Sequence, residues 1–152
     1  MPMIAPAAEW EMLVQKMKIE MPEAFASDGR ILNLIEGEWR EPGFGRHYES
    51  AVDGRSLGRI PMIDLETARS AVKFAKSESV AWANVDLDER RRRVTECVGK
   101  LREQRELIAL LLIWEIGKPY AQALTDIDRC LSGVEWYVEN IEGCLLYTSR
   151  CV

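Results

Sequence analysis

The side chains that could act as nucleophiles or metal ligands are few and lie far apart in the sequence. His47, the single histidine, falls in a segment typical of a strand or loop, with no second ligand type at metal-binding spacing. Cys97 and Cys130 lack the C-x-x-C spacing of a metal or redox site and fall on apolar faces of predicted helices. We therefore expect a structural or solvated histidine and two buried, reduced cysteines that pack as small hydrophobic residues.

Two short motifs could bind phosphate, and the residues around them argue against it. The stretch "GFGRHY" at 43–48 contains G-x-G but lacks the third glycine, and a strand rather than a helix is predicted after it. The basic run "ERRRR" at 89–93 lies inside a helical pattern with acidic residues on either side. We expect a strand at the first motif and a solvated or salt-bridged helix face at the second.

The composition is typical of a soluble globular chain and limits the classes of partner that the chain is expected to bind. Apolar residues make up 47% of the 152 residues and the net charge is -5, which argues against a nucleic-acid partner. The amino terminus lacks the basic start and apolar stretch of a signal peptide. The longest apolar run, 107–114, is shorter than the roughly 20 residues that a membrane helix needs. A cytoplasmic protein without a membrane or nucleic-acid partner is expected.

Periodicity predicts one amphipathic helix and two short strand pairs in the first part of the chain. Apolar residues between Trp10 and Met17 follow helical spacing. Two β-prone runs, 31–35 and 38–40, flank Gly37, whose freedom to take a positive φ suits a tight hairpin. A second pair of runs surrounds the turn residues at 52–54.

After residue 64 the pattern changes to helical. Asp64 is the predicted N-cap of a first helix, and Asp86 with Glu89 forms a capping-box-like start for a second. A third helix over 105–116 is apolar on most of its circumference, and Gly117 ends it. A last helix is predicted over 119–142. The predicted inner faces are Leu65, Ala68, Val72 and Ala75 in the first helix; Val94, Cys97, Val98 and Leu101 in the second; and Leu124, Ile127, Leu131, Val134, Val138 and Ile141 in the last.

The final residues, 144–152, differ abruptly in character from the helix before them. The codons that can encode "CLLYTSRCV" match the mosaic-end oligonucleotide that a transposase inserts during preparation of sequencing libraries, followed by the start of its reverse complement. We therefore predict that residues 144–152 are an adapter-derived tail and that the natural sequence is cut off near Glu142.

Several motifs, taken in order, resemble the opening third of the aldehyde dehydrogenase superfamily. They are "LIEGEW" at 34–39, "SAVDGRSLGRIP" at 50–61, "AW" at 81–82, "DERRRR" at 88–93 and "EIGKPYAQAL" at 115–124. The resemblance implies an α/β fold for the family, of which this chain is a mostly helical piece with two strand pairs near its amino terminus. It also implies three segments: an amino-terminal extension at 1–30 that carries the amphipathic helix, the first part of an NAD(P)-binding domain at 31–143, and the tail at 144–152.

The chemistry that the resemblance implies is oxidation of an aldehyde to a carboxylic acid with NAD or NADP, through attack by a cysteine thiolate. In that family the nucleophilic cysteine, the general base, the oxyanion-hole asparagine and the dinucleotide-binding turn lie beyond the matching region. This chain would then supply scaffold to an intact enzyme that is expected to be a homo-oligomer, and it would be inactive alone. The resemblance also makes Glu115 a candidate ligand of a structural monovalent cation, against the alternative of a solvated or salt-bridged acid.

A stand-alone helical interaction module is the alternative, with the seam of the last helix, 124–141, as its partner site. A monomer that unfolds in one sharp cooperative transition and binds no hydrophobic dye would favour this module. In the fragment hypothesis Leu107, Leu111, Trp114 and the seam lose their cover, so the chain should be prone to aggregation and should bind hydrophobic dyes.

Overall fold

The computed structural model describes the backbone of residues 6–41 and 43–149, and the side chains of residues 10–41 and 43–143. The described chain is mostly helical, with two antiparallel strand pairs, as the sequence predicts. Its elements are α1 (Pro6–Glu20), a 3-10 turn (Pro22–Ala24), β1 (Asn33–Ile35), β2 (Glu38–Arg40), β3 (Phe44–Glu49), β4 (Ser56–Met62), α2 (Leu65–Ala83), α3 (Leu87–Glu103), α4 (Arg105–Ile116) and α5 (Tyr120–Ser149).

The chain divides into two compact units. The first contains residues 1–82 together with the last turn of α4 at 114–117, and the second contains residues 83–113 and 118–152. None of the helices in the described part of the chain is both long enough and apolar enough to cross a membrane.

The β1–β2 hairpin of the first unit is set by its turn. Glu36 and Gly37 both take positive φ, at 56° and 81°, as a two-residue type I′ turn requires. The register runs from Asn33 opposite Arg40 to Ile35 opposite Glu38. The predicted hairpin is confirmed, and its first strand begins two residues later than predicted.

Strands β3 and β4 form the second antiparallel pair, from Phe44 opposite Met62 to Glu49 opposite Ser56, with an irregularity at 48–49. The motif "GFGRHY" is therefore strand, as predicted. His47 lies in β3 with its Nε2 3.6 Å from a carboxylate oxygen of Glu49, and it is exposed. A solvated histidine is confirmed.

Helix α1 packs its apolar stripe against the rest of the first unit. Leu13 and Met17 are buried, while Met12 and Ile19 on the opposite side are exposed. The predicted amphipathic helix is confirmed and extends beyond 10–17 at both ends. Because the buried positions are spaced by four residues, they lie on one face.

The second unit buries its core between α3, the first part of α4, and α5. Its buried core residues are Val98, Ala109, Ala123, Ile127 and Leu131. The Arg105 guanidinium also contacts the Asp128 carboxylate through two hydrogen bonds of 2.6 Å, which join α4 to α5. The expectation that Leu107, Trp114 and the middle of the seam are left uncovered is wrong, because these residues are buried. Trp136 and Tyr137 of α5 are nevertheless exposed.

The prediction that Cys97 and Cys130 are buried is also wrong, since both are exposed free thiols. Each precedes a buried residue, Val98 or Leu131, by one position. Adjacent residues of an α-helix point about 100° apart, so a position at the edge of an apolar stripe turns to solvent when the stripe's centre packs.

Helix α2 has the predicted N-cap but not the predicted burial. The Asp64 carboxylate accepts a hydrogen bond from the Thr67 N–H at 2.7 Å. No residue of α2 is buried, and Leu65 and Val72 of its apolar stripe are 66% and 70% exposed. The periodicity correctly predicted the helix, but of its predicted inner face only Ala68 is even half-buried among the described residues.

Helix α3 begins at its predicted cap with a different hydrogen-bond pattern. The Asp86 carboxylate accepts from the Asp88 N–H at 2.9 Å. Glu89, predicted to complete a capping box, instead binds the guanidinium groups of Arg92 and Arg93 at 2.7 Å. The salt-bridged helix face predicted at "ERRRR" is confirmed.

The last helix, α5, runs on to Ser149 rather than ending near Glu142. Its backbone is thus helical through part of the predicted tail. The side chains of the predicted tail lie outside the described residues.

Candidate functional site at the end of helix α4

At the turn after α4, side chains of the first unit meet in hydrogen bonds and ring contacts. Gly117 takes a φ of +68°, which ends the helix. A Cβ on Gly117 would lie 3.6 Å from the Cβ of Ala51 in the β3–β4 turn. The sequence predicted this helix end from the glycine.

One side chain of β3 and one of the β3–β4 turn bind carbonyls in the last turn of α4. The Ser50 hydroxyl donates to the carbonyl oxygen of Trp114 at 3.0 Å and accepts from the Val52 N–H at 3.0 Å. The Tyr48 hydroxyl donates to the carbonyl oxygen of Glu115 at 2.8 Å. These bonds satisfy helix carbonyls that have no partner inside the helix.

The β3–β4 turn holds Ser50 in place. Its N–H donates to the Arg55 carbonyl at 2.8 Å, and its carbonyl accepts from the Gly54 N–H at 2.9 Å. The Asp53 carboxylate binds the Arg55 guanidinium at 2.7 Å across the turn. Gly54 has a φ of +73°, a conformation that glycine adopts without strain.

The indole of Trp114 has an aromatic ring and a cation as neighbours. Its ring centroid lies 6.0 Å from that of Trp10 at an interplanar angle of 59°, and the Arg55 guanidinium lies 5.5 Å from the centroid. Both arrangements are favourable. Helix α1, the β3–β4 turn and the end of α4 are therefore joined at Trp114.

Glu115, the candidate cation ligand, lies beside these contacts. The residue is exposed as a whole, and partial burial of its carboxyl raises the pKa of that group. The described residues contain no cluster of three or more His, Cys, Asp or Glu that could hold a metal. Any cation at Glu115 would need backbone carbonyls as further ligands, and those of Trp114 and Glu115 already accept hydrogen bonds. The assignment stays a prediction.

The other chemistry-bearing residues are not brought to this site. Cys97 and Cys130 lie on α3 and α5 in the second unit, whereas His47 lies on β3 in the first. The sequence predictions missed the positioning role of Ser50 and Tyr48. The available signal was a small polar residue just before a D-G turn, a common place for side-chain to backbone hydrogen bonds.

Two solved dehydrogenase structures share this fold. The NADP-dependent glyceraldehyde-3-phosphate dehydrogenase from Bacillus halodurans, complexed with NADP, matches with a TM-score of 0.69 and 25% identity, over 72% of this chain and 23% of that one. The NAD-dependent benzaldehyde dehydrogenase from Corynebacterium glutamicum has a TM-score of 0.70 over 78% of this chain and 26% of that one, and its 22% identity shows the fold alone.

The sequence comparison identifies the family. The model of the aldehyde dehydrogenase family matches residues 44–148, and the chain belongs to this family. The aspartate-semialdehyde dehydrogenase (non-phosphorylating) of Halomonas elongata is 32% identical over 70% of this chain. The succinate-semialdehyde dehydrogenase [NADP(+)] of Escherichia coli is 29% identical over 75% of it.

The chain is much shorter than these relatives. It spans 22% of the Halomonas protein and 24% of the Escherichia coli protein. The end of the family match, 144–148, falls within the segment that the codon pattern predicts to be adapter-derived.

Proposed function

We propose that this chain is the amino-terminal part of an NAD(P)-dependent aldehyde dehydrogenase and that it acts there as scaffold. The observation that carries the proposal is the family match over 44–148 in a chain that spans only about a quarter of the relatives it matches. The intact protein would oxidise an aldehyde to a carboxylic acid, with NAD or NADP as hydride acceptor. The names of the relatives and structural neighbours support both cofactors and do not choose between them.

Within the scaffold, the contacts at the end of α4 have a clear physical role. Ser50 and Tyr48 fix the carbonyls of Trp114 and Glu115, and the Trp114 ring packs against Trp10 of α1. A position fixed by two hydrogen bonds and an aromatic contact has little freedom to move. These residues are positioning residues, and none is proposed to touch substrate or cofactor.

The first test is an activity measurement on the 152-residue chain. We expect no aldehyde-dependent formation of NADH or NADPH, because the resemblance places the nucleophile and the dinucleotide-binding turn beyond this region. Absorbance of the reduced nicotinamide reports turnover, and the Escherichia coli relative assayed with succinate semialdehyde is the positive control. Turnover that disappears in Cys97→Ser or Cys130→Ser, with folding retained, would show that the chain carries its own nucleophile.

The proposal extends to Glu115 as a ligand of a structural monovalent cation in the intact enzyme. In this chain it predicts that exchanging the dominant cation between sodium, potassium and a bulky organic cation changes thermal stability more in the parent than in Glu115→Gln. The raised pKa of the Glu115 carboxyl weakens any such site as the pH falls. Equal responses of parent and variant to all three cations would remove Glu115 as a ligand. A cytoplasmic homo-oligomer remains the expectation for the whole protein.

The interaction-module hypothesis receives no support from the seam of α5. Ile127 and Leu131 at its centre are buried within the second unit, and Leu124 and Val134 pack against the same core. A partner could reach these side chains only after that core opened.

A further inference from the structure

A cleft of about 250 Å³ lies in the first unit between α1, the loop after the 3-10 turn, and β4. It takes in residues before position 44, where the family match begins, so one wall of the cleft is not family-matched sequence. The lining residues are Trp10, Val14, Met17, Phe25, Asp28, Gly29, Arg30, Ile31, Leu57, Gly58 and Arg59.

The walls of the cleft are mainly apolar and aromatic. Trp10, Val14 and Met17 share one face of α1 because they are spaced by four and three residues. Phe25, Ile31 and Leu57 complete the apolar lining. A dry cavity of about 150 Å³ lined by such residues can hold benzene, so a single six-membered ring with one small substituent fits a cleft of about 250 Å³.

The charges at the rim are mainly positive. Arg30 is neutralised, since its guanidinium binds the carboxylates of Asp28 at 2.6 Å and Glu41 at 2.9 Å. Lys18 adds an ammonium group 5.8 Å from the centroid of the Phe25 ring. Arg59 forms no ion pair with another described residue.

The position of Arg59 depends on a glycine in the neighbouring strand. A Cβ on Gly45 would lie 3.1 Å from the Cβ of Arg59 and 3.5 Å from its Cδ, so the absence of a side chain there leaves room for the arginine stem. Arg59 also lines the adjoining hollow of about 200 Å³, together with Phe44, Gly45 and Pro61. A guanidinium in this place can bind a carboxylate through two parallel hydrogen bonds.

We propose that this cleft binds a small aromatic monocarboxylate, with the ring between α1 and Leu57 and the carboxylate on Arg59. The positive charge of the rim favours an anion, because neither Arg59 nor Lys18 has a carboxylate partner among the described residues. The volume of the cleft and its apolar lining favour an aromatic ring. The proposal rests on the cleft alone and does not depend on aldehyde oxidation.

The test is a titration of the 152-residue chain with benzoate, followed by the amide resonances of Gly29 and Gly58. Saturable shifts are expected for benzoate. The Arg59→Gln variant should bind about tenfold more weakly, the loss of roughly one charge-assisted hydrogen bond. Benzyl alcohol, which keeps the ring and lacks the charge, should show the same loss in the parent chain.

Matched variants separate binding at the cleft from general effects. Arg46→Gln removes an arginine from the opposite face of the same strand pair, where Arg46 stands opposite Ile60, and should leave benzoate affinity unchanged. Arg59→Lys should retain part of the affinity, and Val14→Phe, which fills the cleft from α1, should abolish binding. Circular dichroism verifies that each variant is folded. Equal weakening by Arg59→Gln and Arg46→Gln, unchanged binding in Val14→Phe, or no saturable shift would overturn the proposal.

Discussion

At the scale of single residues, Ser50 has the clearest structural role. Among the described residues it is the one buried polar side chain, 4% exposed, and both its donor and its acceptor capacity are used. Burial makes each of those bonds costly to lose, because water cannot replace the missing partner.

We predict that Ser50→Ala destabilises the first unit by about 1–3 kcal/mol, since the Trp114 carbonyl and the Val52 N–H both lose a partner. Urea denaturation followed by tryptophan fluorescence measures the change. Ser77→Ala is the matched control, because the Ser77 hydroxyl binds the Phe74 carbonyl at an exposed position of α2. That control should stay within about 0.5 kcal/mol of the parent. Equal effects of the two substitutions would remove the assigned role of Ser50.

The exposed cysteines give a second prediction at this scale. In the native chain, Cys97→Ser and Cys130→Ser should each remove one rapidly reacting thiol from a titration with a disulfide reagent, because both side chains are exposed. Neither substitution should lower the midpoint of thermal unfolding by more than a degree or two, as expected for surface positions (about 0.5 kcal/mol or less). A cysteine that reacts only after denaturant is added would be buried after all.

At the scale of elements, ion pairs stabilise α3, whereas the burial of apolar side chains stabilises α4. Hydrogen bonds from Arg92 and Arg93 lower the pKa of Glu89 from 4.5 to about 2. A carboxyl with a lowered pKa in the folded state stabilises that state fully above its unfolded pKa, and the contribution is lost as the pH falls. The relevant window is from 4.5 down to about 2.

We therefore predict that the difference in thermal stability between the parent and Glu89→Gln is largest above pH 4.5 and disappears near pH 2. Circular dichroism at 222 nm, the standard helix signal, follows unfolding across this range. In the background Arg92→Gln/Arg93→Gln the same substitution should show little pH dependence, because the partners are gone. A pH-independent difference in the parent background would mean that these ion pairs do not form in solution.

At the scale of the whole molecule, exposed apolar side chains lie on α5, at Trp136 and Tyr137, and in larger number on α2. The exposed large residues of α2 are Leu65, Val72, Phe74, Val80 and Trp82. Leu65 and Val72 lie seven positions apart and share one face of the helix, and exposed apolar side chains that share a face mark surfaces that bind other surfaces.

The chain is accordingly expected to bind hydrophobic dyes through α2. The double variant Leu65→Gln/Val72→Gln should lower dye fluorescence at least about twofold with unchanged helicity, because it removes two of the exposed side chains. Ile19→Gln, at an exposed position of α1 that is 77% accessible, is the control and should change the signal less. Dye binding that is the same in all three proteins would place the apolar surface elsewhere.

Local features of this fold could be predicted from the sequence because neighbouring residues determine them. Gly37 and Gly117 mark backbone positions with positive φ, and the structure has a hairpin turn at the first and a helix end at the second. The limits of α4 follow from its apolar run and the glycine after it. The family resemblance identified Glu115 as a candidate ligand. It gave no indication of Ser50 and Tyr48, whose hydroxyls bind the carbonyls of Trp114 and Glu115.

Burial was decided by tertiary structure, because it depends on residues distant in the chain. Periodicity gave α2 and α5 similar apolar stripes, yet Leu131 of α5 is buried against α3 and α4 while Val72 of α2 is exposed. Ser50 reaches Trp114 across 64 positions, a contact that no local pattern encodes. The sequence by itself determined where the helices, turns and family motifs lie. Only the folded chain decided which apolar stripes are covered, since covering a stripe requires a partner surface at the right place in space.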